Sequence, residues 1–390
     1  MKKKLKEVIE KEFKGLWGTD FDENGIPVIK TNNMTYEGRI DYSDICVRNI
    51  TLEEAKNNYL QKGDLIIEKS GGTKTHSVGY VNIFEGENDK YVCNNFILPI
   101  RPNKEIVDCK FLFWQLHGMY ESGKFSDCYN KTTGIQNLQK KTYYEKDLNI
   151  PSLPEQKKIA AYLDKIHSAI DSKKQQLAAL DQLVKSKFVE MFGDVKEKKL
   201  LKEVCEVSGG YSFKSTDISE NPGIKILQIG NVALNDVSWE ITNYLPIDFE
   251  KKYESFLMQK DDIVMALTRP IIQSLENVKT CLVKTQDLPS LLNQRVCRIR
   301  AKKGTNIRFI FYCFMQHTFT DYVKSCCRGA SQPNMSTKDI ENYKISVVDT
   351  SLQTAFATFV QKNDQAKTVV KNQLALLNEL LESKMDEYFG

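Results

Sequence analysis

The sequence predicts an α/β or α+β protein made of two tandem copies of one unit, each a globular block followed by a long helix. Three observations lead to this prediction: an internal duplication, short β-rich runs separated by turn residues, and a long helical pattern that occurs once in each half. A chain of 390 residues is long enough for two or more domains.

The duplication consists of matching segments at a nearly constant offset. SKFVEMFG (186–193) matches SKMDEYFG (383–390), which sets the offset at 197 residues (390 minus 193). KGDLII matches KDDIVM, and GIPVIKTNNM matches GIKILQIGNV, at nearly the same separation. We therefore predict globular domains at 1–153 and 194–351, and long helices at 154–193 and 352–390.

Both long helices carry apolar residues at steps of three and four, the spacing of a coiled-coil seam. The predicted seam residues are Ile159, Leu163, Ile166, Ile170, Leu177, Leu180, Val184, Phe356, Val360, Val370, Leu374, Leu377, Leu381 and Met385. Polar Asn363 and Lys367 interrupt the second seam. If a two-fold-like rotation relates the copies, the helices form an antiparallel coiled coil. The alternative is that each helix pairs with another subunit.

Each globular block mixes strand and helix signals. Runs such as IPVIK, DLIIEK and NNFILPI are separated by Gly, Asn and Asp, which is typical of short strands joined by turns. An aromatic segment follows, FLFWQLHGMY in the first copy and FIFYCFMQHTF in the second, and we expect it to form a buried helix. The order of the strands stays open.

Composition limits the class of protein. The net charge of +4 is too weak to argue for or against nucleic acid. No apolar run is long enough to span a membrane, and no apolar stretch of a secretory signal follows the basic N-terminus. The ten cysteines form no CxxC pair, so neither a zinc module nor a disulfide framework is indicated. We expect reduced thiols in a cytoplasmic protein without a metal.

No catalytic constellation emerges from the motifs. Gly118 to Lys124 has the glycine and lysine spacing of a phosphate loop, but Phe125 replaces the required Ser or Thr. Asp64, Glu68 and Lys69 suggest a nuclease centre, yet the second copy has Ala and Leu in place of the latter two. The chain has no Pro-Pro-aromatic motif of an amino-methyltransferase, and its four histidines form no metal motif. We therefore predict no catalytic residues.

Two polar loops occur at matched places in both blocks, EKSGGTKTHSVG with ALTRPIIQSLENV, and YNKTTGIQN with CRGASQPN. Lys, Arg, Asn, Gln, Ser and Thr in such loops can bind phosphates or base edges, although plain turns have the same composition. The candidate DNA-binding residues are Lys69, Ser70, Thr73, Lys74, Lys131, Thr132, Thr133, Gln136, Thr268, Arg269, Arg328, Ser331, Gln332 and Asn334. Replacing Arg328 with Ala should weaken binding by about 1 kcal/mol or more.

These residues lead to a family resemblance. LNIPSLPEQKKIAAYLDKIHSAID followed by the heptad helix resembles the central region of specificity subunits of type I restriction-modification systems. RGASQPNMSTKDIENYKISV and KGDLIIEKSGG are similar to two further elements of that family, and the resemblance covers essentially the whole chain. The second copy departs from the pattern, since PEQ becomes SLQ and its helix seam is more polar.

The resemblance implies that each block is a target recognition domain for one half of a bipartite site in double-stranded DNA. The coiled coil would set the spacing, and a rod of ~50 Å spans about 15 base pairs. The chain itself would be non-catalytic and hold no cofactor. Two modification subunits would methylate adenine with S-adenosylmethionine, and restriction subunits would use ATP and Mg. The rival hypotheses are a duplicated scaffold that does not bind DNA and a nuclease or NTPase.

Overall fold

The computed structural model describes residues 1–20, 25–73, 75–132, 135–272, 274, 277–327 and 333–390. They form two compact units, one of Met1–Gln176 with Val370–Gly390 and one of Leu177–Val369. The division cuts through both long helices, so the beginning of one helix and the end of the other belong to the same unit. The compact units therefore differ from the four segments that the duplication predicts.

The first unit contains twelve strands, three shorter α-helices, two 3-10 helices (Leu5–Val8 and Thr31–Asn33), the beginning of the first long helix and the end of the second. Its elements are β1 (Lys2–Lys4), β2 (Ile9–Glu12), β3 (Ile26–Ile29), β4 (Cys46–Arg48), α1 (Leu52–Lys56), β5 (Leu65–Glu68), β6 (Ser70–Gly71), β7 (Val81–Ile83), β8 (Val92–Cys93), β9 (Ile97–Pro102), α2 (Cys109–Glu121), β10 (Tyr129–Thr132), β11 (Ile135–Leu138), α3 (Lys140–Tyr144), β12 (Asp147–Asn149) and α4 (Leu153–Phe192). These counts refer to the described part of the chain.

The largest sheet of the first unit is antiparallel, with the order β2-β9-β5-β7. A mixed three-stranded sheet has the order β4-β3-β8, and β1 pairs with β12. Helix α2 packs Phe111, Phe113 and Trp114 into the core, and each of these side chains is at most 1% exposed. Asp108 caps α2 by accepting from the backbone N–H groups of its first turn, which offsets donors that have no partner within the helix.

The second unit contains the end of α4 and the remaining elements. They are β13 (Lys198–Leu200), α5 (Leu201–Val204), β14 (Cys205–Gly209), β15 (Ile224–Leu227), β16 (Tyr244–Leu245), α6 (Phe249–Lys252), β17 (Ile263–Ala266), β18 (Ile271–Ile272), β19 (Asn277–Val278), β20 (Thr280–Leu282), β21 (Ser290–Leu292), β22 (Val296–Ala301), α7 (Ile307–Phe314), α8 (His317–Cys326), α9 (Thr337–Glu341), β23 (Lys344–Ser346) and α10 (Thr350–Phe389).

Three sheets of the second unit correspond to three sheets of the first. The order β14-β22-β17-β20 corresponds to β2-β9-β5-β7, β16-β15-β21 corresponds to β4-β3-β8, and β13 pairs with β23 as β1 does with β12. The mixed α and β architecture with an internal duplication is thus confirmed. One element differs from expectation, because the aromatic segment of the second copy forms two helices, α7 and α8, that are interrupted at Met315 and Gln316.

The two long helices pair in an antiparallel manner inside each unit. In the second unit Phe356 packs against Phe188, with ring centroids 5.4 Å apart. Further along α10, Lys367 forms an ion pair with Asp181, which lies earlier along α4. In the first unit the beginning of α4 shares an apolar core with the end of α10. This arrangement agrees with the antiparallel coiled coil that the duplication predicts.

All the predicted seam positions are buried or half-buried. The polar position Asn363 is buried as well, and its Nδ2 donates to the Leu180 carbonyl at 3.0 Å. The polar residues that interrupt the apolar spacing therefore belong to the helix interface. A buried polar residue in a coiled coil favours one register at a cost in stability.

Candidate nucleic-acid interface

The two predicted polar loops of the first unit lie side by side at one edge of the four-stranded sheet. Strand β5 ends at Glu68, and the chain continues directly into β6, which pairs antiparallel with β11. In this register Gln136 lies opposite Gly71, and Asn137 lies opposite Ser70. The β10–β11 hairpin is thereby joined to the loop after β5, and the two loops form one continuous surface.

Side chains fix this junction. Gln136 accepts from the Val78 amide through Oε1 at 3.2 Å and donates to the Thr73 carbonyl through Nε2 at 3.3 Å. Ser70 Oγ donates to Asn137 Oδ1 at 2.7 Å. Two of the predicted DNA-binding residues, Gln136 and Ser70, thus use polar atoms to hold the loops together, and this gives them a positioning role within the surface.

The loop after β6 is folded by its own side chains. Thr73 is exposed, and its hydroxyl accepts from the amides of His76 at 3.0 Å and Thr75 at 3.3 Å. The His76 ring stacks on Tyr36 with a centroid distance of 3.7 Å. Lys69 is half-buried at the start of the loop. These contacts present Thr73 at the surface on a defined backbone.

The acidic residues that suggest a nuclease do not form a joint site. Asp64 is buried and accepts two bonds from Arg101, at 2.8 Å from Nε and 2.7 Å from Nη2. Glu68 is buried beneath the loop and accepts from the Gly72 amide at 3.3 Å, and burial raises the pKa of its carboxyl. Among the described residues no group of three or more His, Cys, Asp or Glu side chains could hold a metal ion.

The second unit joins its two loops in the same way. Thr268, which follows β17, forms a β-bridge with Asn334. The Arg269 amide donates to the Pro333 carbonyl at 2.8 Å. Arg269 and Asn334 are exposed, and Thr268 is half-buried. Residues 268–269 and 333–334, which are far apart in the sequence, therefore meet at the edge that corresponds to the loop surface of the first unit.

Several predicted residues receive less structural description. Lys131 and Thr132 lie on β10, where only their backbone is described. The residues outside the described part of the chain are Lys74, Thr133, Arg328, Ser331 and Gln332. Their assignment to DNA stays a prediction.

The most distinctive family-like motif has a structural role. Gln156, from PEQ, is buried and accepts from the Asp108 amide at 2.8 Å while donating to the carbonyls of Ile106 and Pro151. Gln353, from SLQ, makes the equivalent bond with the Asn306 amide at 2.9 Å. In both copies this glutamine ties the start of a long helix to the start of a buried aromatic helix.

Two further anchors occur in both copies. Asp262 accepts from Arg300 Nε and Nη2, each at 2.7 Å, and thus repeats the buried pair of the first unit. Asn33 and Asn231 each accept, at 2.9 Å, from the amide three residues earlier. Each of these two asparagines also donates to two backbone carbonyls of the following loop. The same polar anchors therefore build the framework of both units.

A cavity of about 620 Å³ lies in the first unit between α2, α4 and the end of α10. Its lining includes Trp114, His117, His167 and Met385. Burial, and to a smaller extent the nearby His167, lower the pKa of His117 to about 4, while Glu37 opposes the shift. His117 is therefore neutral near pH 7.

The glycine and lysine spacing at Gly118 to Lys124 does not form a phosphate loop. Gly118 lies inside α2, where the backbone amides are engaged in the helix. Lys124 Nζ donates to the Phe389 carbonyl at 2.8 Å.

Among the helices that the structure describes, none is both long and apolar enough to cross a membrane.

Sequence reasoning did not identify a third element at the loop edge. It is the turn before β9 and β22, where Phe96 and Arg295 are exposed between buried neighbours. The signal is present in the sequence, because NNF aligns with NQR directly before ILPIR and VCRIR in the duplication. The duplication therefore places an exposed residue directly before a buried strand in both copies.

Comparison with known proteins gives one consistent family. A family model described as type I restriction modification DNA specificity domain matches residues 1–182 and again 194–380. The chain is 29% identical over 330 residues to the type I restriction enzyme MjaVIII specificity subunit of Methanocaldococcus jannaschii, covering 78% of this chain and 76% of the relative. It is 23% identical over 394 residues to the EcoKI specificity subunit of Escherichia coli K12, covering 93% and 82%.

Two solved structures share the fold. One is the type I restriction-modification S subunit from M. genitalium, with a TM-score of 0.60, 16% identity, and coverage of 100% of this chain and 96% of that one. The other is a chain from a structural study of complex assembly and conformational transition of the type I R-M system, with a TM-score of 0.57, 14% identity, and coverage of 100% and 97%. At these identities the likeness concerns the fold.

Proposed function

We propose a function on the premise that the chain belongs to the type I restriction-modification DNA specificity family, whose domain matches both of its halves. In this proposal each globular domain recognises one half of a bipartite, gapped site in double-stranded DNA. The observation that carries the proposal is the junction of two polar loops at the same sheet edge in both units. Two equivalent surfaces on one chain suit two half-sites.

The chemistry of the loop surface supports DNA as the ligand. Arg269 and Asn334 are exposed in the second unit, as is Thr73 in the first. Arginine and asparagine can bind guanine and adenine edges, and threonine can donate to phosphates. The bonds made by Gln136 and Ser70 would keep the surface rigid, which reduces the entropy lost when it binds a duplex.

The helix pair would set the distance between the half-sites. Each helix has 40 residues and extends ~60 Å. Each begins in one compact unit and ends in the other. Because a helix resists bending more than a loop does, a change in its length should change the gap between the recognised half-sites.

The chain would act without catalysing a reaction and without a cofactor of its own. Two modification subunits would bind it and transfer a methyl group from S-adenosylmethionine to adenine. Restriction subunits, with ATP and Mg, would join the assembly. The exposed faces of α4 and α10 are candidate contacts for these partners, and the compartment would be the cytoplasm.

The test is to co-express the full chain with a modification subunit encoded beside it and to map methylated adenines across the host genome. The expected result is one gapped, asymmetric motif. Methylation without a bipartite motif, or none at all, would favour the rival scaffold that does not bind DNA. Activity of the purified chain alone with ATP or a metal would instead indicate an enzyme.

A second arm tests the spacing. Seven residues are inserted into α4 after Gln176 and seven into α10 after Val369, where the compact units divide. The pair lengthens by ~10 Å, so the gap should grow by about three base pairs while both half-sites keep their sequence. Insertion into one helix alone is the control, and it should abolish methylation because the seams no longer match. A changed half-site would contradict the spacer role.

A further inference from the structure

The turn before β9 in the first unit and the turn before β22 in the second lie directly against the polar loop that follows β5 or β17. In the second unit the turn consists of Asn293, Gln294 and Arg295, and β22 begins at the next residue. The Leu267 amide, at the start of the first loop, donates to the Arg295 carbonyl at 2.8 Å. In the first unit the amides of Lys69 and Ser70 donate to the Phe96 carbonyl at 2.8 and 3.1 Å. The turn and the loop therefore share one surface.

The other side of this turn is also fixed. The Gln294 amide donates to the Tyr211 carbonyl at 2.8 Å, and Ser212 Oγ donates to Gln294 Oε1 at 3.1 Å. A Cβ added at Gly210 would lie 2.0 Å from the Asn293 carbonyl oxygen, so only glycine permits this close approach. The corresponding Gly15 in the first unit would meet the Asn94 oxygen at 2.3 Å. Both turns are thus held between two neighbouring segments.

Arg295 differs from the other described arginines of the sheet and of α7. Arg298 donates to backbone carbonyls, Arg300 to Asp262, and Arg308 to Asp364. The Arg295 side chain is exposed, and among the described residues its guanidinium has no hydrogen bond or ion pair. Its backbone has a φ of 66°, which residues with a Cβ rarely adopt. The fold accepts this conformation and leaves five N–H donors available.

We propose that Arg295 is a specificity-determining residue of the second domain and binds a guanine edge in the major groove, with Gln294 beside it. An arginine fork matches the two acceptors of guanine, O6 and N7. The matching residues of the first domain, Asn95 and Phe96, are exposed too, and the Phe96 side chain is 53% exposed. Asn95 suits an adenine edge, and Phe96 suits a thymine methyl group. This inference rests on the proposed DNA-recognition function.

The experiment compares methylation motifs of the full chain co-expressed with its modification subunit. Arg295→Gly removes the fork and keeps a residue suited to positive φ. We expect one guanine position in one half-site to become degenerate, with discrimination there falling roughly 5- to 150-fold, while the other half-site is unchanged. Arg295→Lys keeps the positive charge and a side chain at this position but lacks the planar fork. It should therefore lose discrimination at the same guanine position. Phe96→Ala should alter only the other half-site.

Lys303→Ala is the matched control, since this exposed lysine follows the opposite end of β22. It removes one positive charge and should leave the motif unchanged. An unchanged methylation motif for Arg295→Gly would overturn the inference. A loss of methylation at all sites in Arg295→Gly that does not occur in Arg295→Lys would also overturn it, because that result indicates a phosphate contact. If the wild-type complex yields no gapped motif, the proposed function fails rather than the assignment of Arg295.

Discussion

Replacing Asp64 with Asn should destabilise the first unit strongly without removing any catalytic group. Asp64 is 1% exposed and accepts three bonds, from Arg101 Nε at 2.8 Å, Arg101 Nη2 at 2.7 Å and the Gln61 amide at 2.8 Å. Asparagine keeps one acceptor oxygen, but it turns an amide group toward a guanidinium that is only 14% exposed. Breaking one side of such a buried pair costs about 3–5 kcal/mol.

A loss of this size is a large part of the ~5–15 kcal/mol that stabilises a domain. The two units need not unfold together, so the assay is hydrogen exchange in increasing urea, followed by mass spectrometry of peptides from each unit. Peptides of β5 and β9 should exchange at a lower urea concentration, and peptides of β17 and β22 should not change. Asp262→Asn should give the reverse pattern, because Arg300 pairs with Asp262 in the second unit.

The control is Asp147→Asn, which breaks an exposed pair with Lys4 at 2.7 Å. The side chains of Asp147 and Lys4 are 62% and 37% exposed, so solvent screens the pair, and this variant should exchange at the same urea concentration as the wild type. Equal stability of the Asp64→Asn variant and the wild type would refute the structural role of this carboxylate. If that variant also lost methylation, a direct functional role for Asp64 would have to be considered.

Two more predictions concern the helices and the cavity. The substitution Asn363→Ile introduces the residue that the first copy has at the matching position, Ile166. Because Asn363 Oδ1 is buried without a partner among the described residues, the free energy of unfolding of the second unit in urea should rise by about 1 kcal/mol. A decrease would contradict this reasoning. The pKa of His117 is lowered from 6.5 to about 4, so the unfolded chain binds more protons and the stability of the first unit should fall as pH drops from 6.5 toward 4. In thermal unfolding, His117→Phe should reduce the change of stability with pH between pH 7 and pH 5. His317→Gln, at an exposed histidine, should not. The same pH dependence in both variants would contradict the assignment to His117.

The long helices and their seam could be predicted because spacing alone determines which helical residues share a face. All the positions chosen on this basis are buried or half-buried. The seam also includes Asn363, whose burial depends on the Leu180 carbonyl opposite it. A polar residue at a seam position does not show in the sequence whether it ends the interface or belongs to it.

The sheets could not be predicted beyond the existence of their strands. All four residues of β5 are buried, so both faces of the strand are covered, and nothing in the run identifies β9 and β7 as its neighbours. The same limit applies to the loop surface. The sequence predicts Gln136 as a DNA contact because of its side-chain amide, yet that amide bridges Val78 and Thr73, which are more than fifty residues earlier in the chain. Long-range pairing decides which polar atoms remain available.

The two copies share the buried polar residues that hold the framework together, but they differ in the exposed residues at the loop edge. This difference is relevant to recognition. Asp64 and Asp262, like Gln156 and Gln353, make equivalent bonds in both units. At the loop edge the copies diverge, since Phe96 in one corresponds to Arg295 in the other. The anchors form their bonds with backbone amides or a half-buried arginine, and none of these partners is an exposed residue of the polar loops. One framework can therefore present different side chains to DNA, and a chain with two such frameworks can recognise two unlike half-sites.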